Sequence, residues 1–492
     1  MTFVHSLLNQ AAATAPEHTA VRDSWGGLTW AELAHAARRA ASGLVACGVR
    51  PGDRVAVRAV PDRRTVIALY GCLQLGAVVV PFSPDAPRYQ LSHVLADASP
   101  KLLVTDDESH RAWAPVPVHG LSNLSTESGP LTVVPAHAPG PEDLALLLYT
   151  SGSTAQPKGV SCTHAQVAFA ARAVAAGVAY HPNDVVYCRL PLSFDYGLYQ
   201  IFLSALATAT LVLADPGEDA ALLAGIRRVR ATVVPVVPSL ATMLLALARR
   251  EPPGVADRHI RLFTNTGEHL TPRVTEALRR AFPGAGVRLM FGITECKRVT
   301  VAGIDEDLGH PGSVGRALPG TTVLILDRDG QRLPPGRTGE ICVQGPHVMQ
   351  GYWQAPDLTA ERFRADPLTG ERTLFTGDFG HLDVEGRLYF EGRRDDQFKL
   401  RGTRVSSLEI ERAALTLDGV EAAAVVPPST ERDAVLCVVG SLSPEGVLRG
   451  VRGLLGPAKS PQNCRVVTAL PLTANGKTDR SRLAGILEGR LL

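Results

Sequence analysis

The segment from Leu144 to Val160, LALLLYTSGSTAQPKGV, concentrates groups that can bind an anion. An apolar run of strand length ends at Tyr149, a hydroxyl-rich turn follows, and the next stretch, SCTHAQVAFAARAVAAG, has helical periodicity. Gly152 lets the backbone approach a ligand closely, and Lys158 adds a positive charge. Hydroxyl groups that can donate to phosphate oxygens come from Thr150, Ser151, Ser153 and Thr154.

These features predict a strand, an anion-binding loop and a helix. The segment does not match the Walker pattern G-x-x-x-x-G-K-[ST], so a P-loop is excluded. The alternative is a Ser- and Gly-rich surface loop, which composition alone favours. The other motifs of the chain decide between the two interpretations.

Alternating strand and helix signals surround this loop. LTWAELAHAARRAASGLVACGVRPGDRVAV predicts a strand, a helix closed by Gly48, a turn and another strand, and RTVIALYGCLQLG and AVVVPFSP continue the alternation. Further along, IRLFTNTGEHL and VRLMFGITECKRV each place polar residues at a strand end, where open α/β sheets bind ligands. The pattern predicts a mostly parallel sheet covered by helices.

The last third of the chain has a different texture. From Gly312 onward short β-rich pieces predict a small barrel-like subdomain over residues 312–394. Beyond Arg394 a compact α+β unit is expected, of a usual domain size. We therefore predict an α/β protein with a large N-terminal domain of stacked α/β subdomains (1–394) and a small, mobile α+β C-terminal domain (395–492).

Composition excludes several function classes. The chain has 50 basic and 48 acidic residues, and a net charge of +2 gives no electrostatic case for nucleic acid. The eight cysteines are scattered without a C-x-x-C pair, which fits reduced thiols in the cytoplasm. No signal peptide and no membrane-spanning segment are expected.

The motifs, in this order, resemble the adenylate-forming superfamily of acyl-CoA synthetases, peptide-synthetase adenylation domains and luciferases. The blocks that carry the resemblance are LTWAEL, LQLGAVVVPFSPDAP, YTSGSTAQPKGV, SFDYGLYQ, TNTGEHL, FGITE, TGEICVQG, GYW, LFTGD, GRRDDQFKLRGTRV and PLTANGKTDR. The resemblance implies that ATP converts a carboxylate to an acyl-adenylate and pyrophosphate, and that a thiol then takes the acyl group.

The resemblance also implies an ATP and Mg²⁺ site. The loop from Thr150 to Lys158 would wrap the β- and γ-phosphates, although Ala155 stands where the family usually has Gly. Phe291 would stack on adenine, Thr294 would lie near the α-phosphate, and Glu295 would bind Mg²⁺. The remaining nucleotide contacts implied are Gly267, Glu268, Gly292, the ribose carboxylate Asp378, and Arg393. An Asn that many relatives carry is replaced here by Leu289, so backbone carbonyls around Gly267 would read the adenine amino group.

The strongest catalytic expectation falls on Lys477, which matches the lysine that bridges the substrate carboxylate and the α-phosphate. The C-terminal domain would swing about Asp395, withdraw this lysine and present Lys399 and Gly402 toward the thiol. Because the sequence stops soon after the lysine motif, we expect the phosphopantetheine carrier to be a separate protein.

Asp195 suggests an amino-acid substrate, since the aspartate of the F-D block pairs with the substrate ammonium in amino-acid-activating relatives. A helix N-cap is the structural alternative for Asp195. Arg298 has two interpretations: it reads a second substrate carboxylate, as for an acidic amino acid, or it pairs with Asp195 and so cancels the evidence for a substrate ammonium. The other wall positions implied by the resemblance are Tyr196, Tyr199, Thr264, Thr266, Met290 and Val299.

The sequence thus predicts an AMP-forming ligase, a stand-alone amino-acid adenylation enzyme of nonribosomal peptide synthesis that loads a separate carrier protein. An acyl- or aryl-CoA ligase is the alternative. A non-catalytic nucleotide-binding paralogue is disfavoured because Glu295, Asp378 and Lys477 are all present. No motif excludes a luciferase-like oxidation, and none requires it.

Overall fold

The computed structural model describes residues 3–124, 139–150, 157–215, 217, 219–251, 258–366, 369–393, 397–400, 403–429, 432–473 and 476–488. Helices and strands alternate in the first third as predicted. In chain order they are α1 His5–Thr14, β1 Thr19–Asp23, β2 Gly26–Thr29, α2 Trp30–Ala46, β3 Arg54–Arg58, α3 Arg63–Leu75, β4 Val78–Phe82, α4 Arg88–Ala98, β5 Leu102–Val104, β6 Val118–His119, β7 Leu144–Thr150, β8 Lys158–Thr163 and α5 His164–Val178.

The segment after the predicted anion-binding loop differs from its prediction in one respect. Residues Lys158–Thr163 form strand β8, antiparallel to β7, and helix α5 begins only at His164. Thr163 starts the helix with a capping box, since its hydroxyl accepts from the Gln166 amide and the Gln166 side chain accepts from the Thr163 amide. The loop therefore joins two paired strands, which fixes its ends relative to each other.

The second third supplies a further strand and helix series. Its elements are β9 Val185–Cys188, α6 Asp195–Ala207, β10 Thr210–Leu213, α7 Leu222–Val229, β11 Val233–Val236, α8 Pro238–Ala248, β12 Leu262–Asn265, α9 Pro272–Ala281 and β13 Gly286–Phe291. Strands β1, β10, β9, β11, β12 and β13 pair in parallel in that order. A second sheet has the order β6-β5-β3-β4-β7-β8, parallel as far as β7.

The main core contains apolar residues of both sheets and of helices that include α2, α3 and α6. Helix α3 is buried along nearly its whole length. Helices α2 and α3 cross closely, because a Cβ at Gly71 would lie 2.8 Å from the Cβ of Ala40. This close packing buries both helices between the sheets and leaves the carboxyl ends of β9, β12 and β13 free to carry the site.

The β-rich part predicted from Gly312 is present. It comprises β14 Thr300–Val301, α10 Glu306–Gly309, β15 Ser313–Ala317, β16 Thr322–Leu326, β17 Gly339–Gln344, β18 Gly351–Tyr352, α11 Pro356–Arg362, β19 Phe363–Ala365, β20 Arg372–Leu382 and β21 Arg387–Arg393. These strands pair antiparallel and continue the first sheet through β13 and β14, except β18, which pairs with β8. The antiparallel strands have an apolar core of their own that includes Ile341, Val343 and Leu388.

The C-terminal part is a small α+β domain, as predicted. Its elements are β22 Gln397–Leu400, β23 Thr403–Ser406, α12 Ser407–Leu415, β24 Val420–Val426, β25 Val435–Gly440, α13 Pro444–Leu455, β26 Asn463–Val466 and α14 Arg480–Leu487. Strands β24, β25 and β26 form a separate sheet, packed on a core that includes Ile410, Leu436 and Val451. The predicted domain boundary at residues 394–396 lies outside the described residues.

Two further features of the described residues concern the cysteines and the length of the helices. All eight cysteines are described and none is disulfide-bonded. Within the described ranges, no helix combines the length and the apolar character needed to cross a bilayer.

Candidate active site

A cavity of about 380 Å³ opens where the carboxyl ends of β12 and β13 meet the β-rich part and the C-terminal domain. We call it the central cavity. Of the described residues to which the motifs assign a role, most line it: Thr150, Asp195, Gly267, Glu268, Met290, Phe291, Gly292, Thr294, Glu295, Arg298, Asp378, Arg393 and Lys477. Blocks separated by up to 327 positions of the sequence therefore converge on one space.

The FGITE turn follows directly from β13. Phe291 stacks on Phe390, with ring centroids 5.5 Å apart and planes inclined by 28°. Gly292 is needed for close chain packing, because a Cβ there would lie 2.0 Å from the carbonyl oxygen of Lys297. Lys297 itself is fully buried, and its Nζ donates to the Thr294 carbonyl at 3.0 Å. The turn that carries Thr294 and Glu295 is thus tied to its own chain.

The Glu295 carboxylate is oriented by a residue to which the sequence assigned no role. The Tyr352 hydroxyl donates to Glu295 Oε1 at 2.7 Å. Burial, followed by the charge of Glu295, raises the pKa of Tyr352, so this hydroxyl remains a donor. The Nζ of Lys158 lies 5.9 Å from the centre of the Tyr352 ring. Tyr352 therefore lies next to both Glu295, the predicted Mg²⁺ ligand, and Lys158, the predicted phosphate ligand.

The donor set fits Mg²⁺ held jointly with a nucleotide. Among the described residues no cluster of three potential metal-ligating side chains exists. Magnesium accepts one or two carboxylates together with phosphate oxygens and water, and Glu295 faces the central cavity where phosphates would enter. When bound, the ion would neutralise phosphate charge, and Glu295 would be its protein ligand.

Asp378 and Arg393 are directly opposite each other on β20 and β21. Arg393 Nε lies 3.3 Å from Asp378 Oδ1, and the aspartate side chain is 4% exposed whereas the arginine side chain is 51% exposed. The carboxylate is thus buried in the wall, and the arginine side chain beside it is half exposed. A buried carboxylate with two acceptor oxygens suits a pair of ribose hydroxyls.

Lys477 reaches the central cavity from the C-terminal domain. Its turn is closed by two contacts with Thr473, whose amide donates to the Lys477 carbonyl at 2.7 Å and whose hydroxyl accepts from the Lys477 amide at 3.2 Å. Ser239 of the large domain donates to the Gly476 carbonyl at 2.8 Å. The Lys477 ammonium then lies 5.2 Å from the centre of the Phe194 ring.

Burial and the neighbouring carboxylates have opposite effects on the pKa of Lys477. Burial lowers the pKa of Lys477, while Asp195 and Glu268 act to raise it. Burial likewise raises the pKa of Glu268, against the opposing effect of Lys477. A bound carboxylate and phosphate would supply the negative charge that this lysine lacks.

At the cavity wall, Asp195 and Arg298 form a buried ion pair. Arg298 Nη1 lies 3.2 Å from Asp195 Oδ2, and both side chains are 5% exposed. The same nitrogen donates to the Lys297 carbonyl at 2.7 Å, and the guanidinium lies 5.0 Å from the centre of the Tyr196 ring. The N-cap interpretation of Asp195 is wrong, because Asp195 is the first residue of α6 and no side chain caps that helix.

The remaining wall residues lie at different depths. Tyr196 shares a hydrogen bond of 2.8 Å with Thr264, and Tyr199, with a fully buried hydroxyl that has no hydrogen-bond partner among the described residues, lies near Arg298 beside a small void. Thr266 and Val299 are buried behind the wall, and Val299 packs in the core of the β-rich part.

Some predicted residues cannot be placed. Ser151, Gly152, Ser153 and Thr154 of the anion-binding loop lie outside the described residues, as do the expected hinge Asp395 and Gly402. Lys399 lies on β22, which pairs with β23.

Sequence reasoning missed several cavity residues, such as Arg362, Thr376 and Phe390, which no motif assigned to the site. Phe194 could have been found, since it precedes Asp195 in the F-D block.

Comparisons with known proteins show the family to which the chain is similar. A family model described as AMP-binding enzyme matches residues 8–353, and one described as AMP-binding enzyme C-terminal domain matches residues 409–477. A probable non-canonical nonribosomal peptide synthetase, CymA of Salinispora arenicola, is 35% identical over 96% of this chain. The chain spans only 6% of the length of CymA and 19% of the length of plipastatin synthase subunits A and C of Bacillus subtilis, which it also matches.

Two solved structures are informative. VinN in complex with L-aspartate is 41% identical, with a TM-score of 0.69 over 79% of this chain and 98% of VinN. The o-succinylbenzoate CoA synthetase MenE of Bacillus subtilis, in complex with an acyl-adenylate intermediate, is 28% identical, with a TM-score of 0.83 over 97% of both chains.

Proposed function

Because this chain belongs to the AMP-binding enzyme family of adenylate-forming enzymes, we propose that it activates an amino-acid carboxylate with ATP. The products of this step are an aminoacyl-adenylate and pyrophosphate. In a second step the aminoacyl group passes to the phosphopantetheine thiol of a carrier protein. The observation that carries the amino-acid assignment is the buried pair of Asp195 and Arg298 in the wall of the cavity that also holds Lys477.

The pair offers one partner to each charge of an amino-acid zwitterion. A substrate ammonium suits Asp195, and a carboxylate that does not react suits Arg298, so exchange of the internal pair for these contacts keeps every buried charge matched. A second carboxylate of the same substrate would then face Lys477. This arrangement favours an amino dicarboxylic acid, and the likeness to VinN, solved with L-aspartate, supports the same class.

In the proposed first step, a carboxylate oxygen attacks the α-phosphorus of ATP and pyrophosphate leaves. No covalent bond to the protein is needed, so positioning and charge stabilisation carry the step. Lys477 would contribute positive charge between carboxylate and α-phosphate, Thr294 would contact the same region, and Phe291, Asp378 and Arg393 would hold adenosine. Lys158 and the 150–158 loop would bind the outer phosphates.

The second step is proposed to use a movement of the C-terminal domain from residue 395 onward. Lys477 is on that domain, so its withdrawal would free the cavity for the thiol. Asp395 would be the hinge, and Lys399 and Gly402 would face the incoming arm.

The test is ATP–pyrophosphate exchange with a panel of acids. Aspartate, glutamate and β-amino acids are compared with neutral amino acids and with simple acids such as succinate, which lacks only the ammonium of aspartate. We expect exchange with an amino dicarboxylate, and a loss of about 10² to 10³ in rate for Lys477→Ala. Exchange that is equally fast with succinate would contradict the amino-acid assignment, and an unchanged rate for Lys477→Ala would contradict the role of the lysine.

An acyl- or aryl-CoA ligase remains the second candidate, and the likeness to the CoA synthetase MenE favours it. The acceptor separates the two functions. After the acid is known, thioester formation is measured with CoA and with a phosphopantetheinylated carrier protein, and transfer to CoA alone would select the ligase.

A further inference from the structure

Helix α4 contacts both strand ends from which the anion-binding loop emerges. The Tyr149 hydroxyl at the end of β7 donates to the carboxylate of Asp97. One turn earlier on α4, His93 Nε2 lies 3.0 Å from the carbonyl oxygen of Pro157, just before β8. Since a carbonyl only accepts, His93 must donate from this nitrogen.

Asp97 also contacts the residues just after β18, the strand that pairs with β8. Its backbone carbonyl accepts from Trp353 Nε1 at 3.1 Å and from Gln354 Nε2 at 3.4 Å. Trp353 in turn donates its amide to the Gly159 carbonyl at 2.7 Å. The C-terminal end of α4 therefore meets β7, the residues after β18 and, through Trp353, β8.

The pairing of β7 with β8 makes these contacts relevant to the cavity. Tyr149 is opposite Gly159, and Thr150 is opposite Lys158. A Cβ on Gly159 would lie 3.2 Å from Tyr149 Cζ and 3.3 Å from Trp353 Cβ, so the Tyr149 ring fits closely against the strand that carries Lys158. A shift of the Tyr149 ring would therefore displace β8, because the ring packs against Gly159 of that strand.

We propose that α4 positions Thr150 and Lys158 for the outer phosphates of ATP, with Asp97 and His93 as the positioning residues. This inference rests on the proposed function, in which those two residues face the β- and γ-phosphates. The Tyr149 hydroxyl is a dependable donor for this purpose, because burial, together with the contact to Asp97, raises its pKa. Neither α4 residue lines the central cavity.

The positioning role predicts a difference between ATP and AMP. Asp97→Ala and Tyr149→Phe each remove the same hydrogen bond, and each is expected to weaken ATP binding about tenfold while AMP binding changes less than twofold. The double variant should be no weaker than either single variant, because both remove one interaction. His93→Leu should weaken ATP selectively, and His93→Gln, which keeps a donor, should restore it.

The measurement is isothermal titration of the full chain with ATP and with AMP. Tyr89→Phe, an exposed tyrosine on the same helix, is the matched control and should bind both nucleotides as the wild type does. Equal weakening of ATP and AMP, unchanged ATP binding, or additive effects of Asp97→Ala and Tyr149→Phe would each overturn the inference.

Lys158→Ala separates this failure from a failure of the proposed function. If Lys158→Ala weakens ATP selectively and Asp97→Ala does not, only the role of α4 is wrong. If Lys158→Ala leaves the ratio of ATP to AMP affinity unchanged, the phosphate assignment itself is wrong, and the inference falls with it.

Discussion

Asp195 and Arg298 bury opposite charges that stabilise each other. Removing one partner of such a pair leaves an unmatched charge in the protein and costs about 3–5 kcal/mol. We therefore expect Asp195→Ala to lower the free energy of unfolding by about 3 kcal/mol and to raise KM for the amino acid by roughly 10² or more. Urea unfolding and pyrophosphate exchange measure the two effects.

The double variant Asp195→Ala/Arg298→Met is the control for the charge argument. Removing both charges should recover most of the lost stability without restoring exchange. Glu276→Ala, which breaks the exposed pair between Glu276 and Arg280, should change stability by less than about 0.5 kcal/mol. If the double variant were less stable than Asp195→Ala, the pair would not be the source of the loss.

Motif residues that line the central cavity, such as Glu295, Asp378 and Lys477, were identified from the order of the motif blocks. The sequence itself places only the TNTGEHL and FGITE residues at strand ends. For Arg298 the sequence left two partners open, a substrate carboxylate and Asp195, which is 103 positions away, and the structure shows the contact with Asp195. Tyr352 was visible in the GYW block, but nothing local indicates that its hydroxyl reaches Glu295. Contacts between blocks depend on packing, which one sequence does not state.

At the scale of elements, α12 holds the turn that carries Lys477. Glu411 on α12 is buried, and its carboxylate accepts from the Val425 amide at 2.7 Å and from Arg480 Nη2 at 2.8 and 2.9 Å. Arg480 begins α14, three positions after Lys477. One carboxylate thus connects α12, β24 and the start of α14.

Glu411→Ala is expected to destabilise the C-terminal domain by about 3 kcal/mol, because it removes a buried acceptor from a backbone amide and a guanidinium. Differential scanning calorimetry should show the loss, accompanied by a lower exchange rate. Glu409→Ala on the same helix breaks only a half-exposed pair with Lys459 and should cost less than about 1 kcal/mol. Equal effects of the two variants would contradict the connecting role of Glu411.

Helix and strand positions were largely predictable from periodicity, and the exception is instructive. Residues 158–163 were expected to lead into a helix, yet they form β8. The helical periodicity belongs to the alanine-rich stretch that follows these residues. The residues themselves form a strand because they pair with β7 and β18, and these contacts depend on the tertiary structure.

At the scale of the whole molecule, the contact between domains includes His269, which is partly buried. Burial, together with the nearby Arg412 of the C-terminal domain, lowers the pKa of His269 to about 3. Between pH 6.5 and 3 the unfolded chain therefore binds a proton that the folded protein does not, so stability falls as pH falls. The contribution is up to about 2 kcal/mol at pH 5.

His269→Asn should reduce this acid sensitivity. Burial lowers the pKa of both His164 and His347 to about 4, so these histidines act in the same direction and part of the slope persists in the variant. Denaturant unfolding from pH 7 to pH 4 gives the slope, and the same replacement at the exposed His259 should leave it unchanged. A slope identical to that of the wild type would refute the assignment to His269.

The position of Lys477 depends on how the C-terminal domain is held against the large domain. Arg273 on α9 donates to the carbonyl oxygens of Val420 at 2.9 Å and Leu417 at 3.3 Å, and Ser239 supports Gly476. These contacts favour the arrangement in which the lysine lies in the central cavity. Loss of the Arg273 contacts should therefore make this domain arrangement less populated. The effect should be small, because Arg273 is exposed to solvent.

We expect Arg273→Ala to lower the pyrophosphate exchange rate about threefold while KM for ATP and the melting temperature change little. Transfer from preformed adenylate to the thiol acceptor should be unchanged or faster, because that step needs the lysine withdrawn. Arg280→Ala, on the exposed face of the same helix, should affect neither rate. A proportional loss in both half-reactions would mean that Arg273 supports the fold as a whole and does not set the balance between the two domain arrangements.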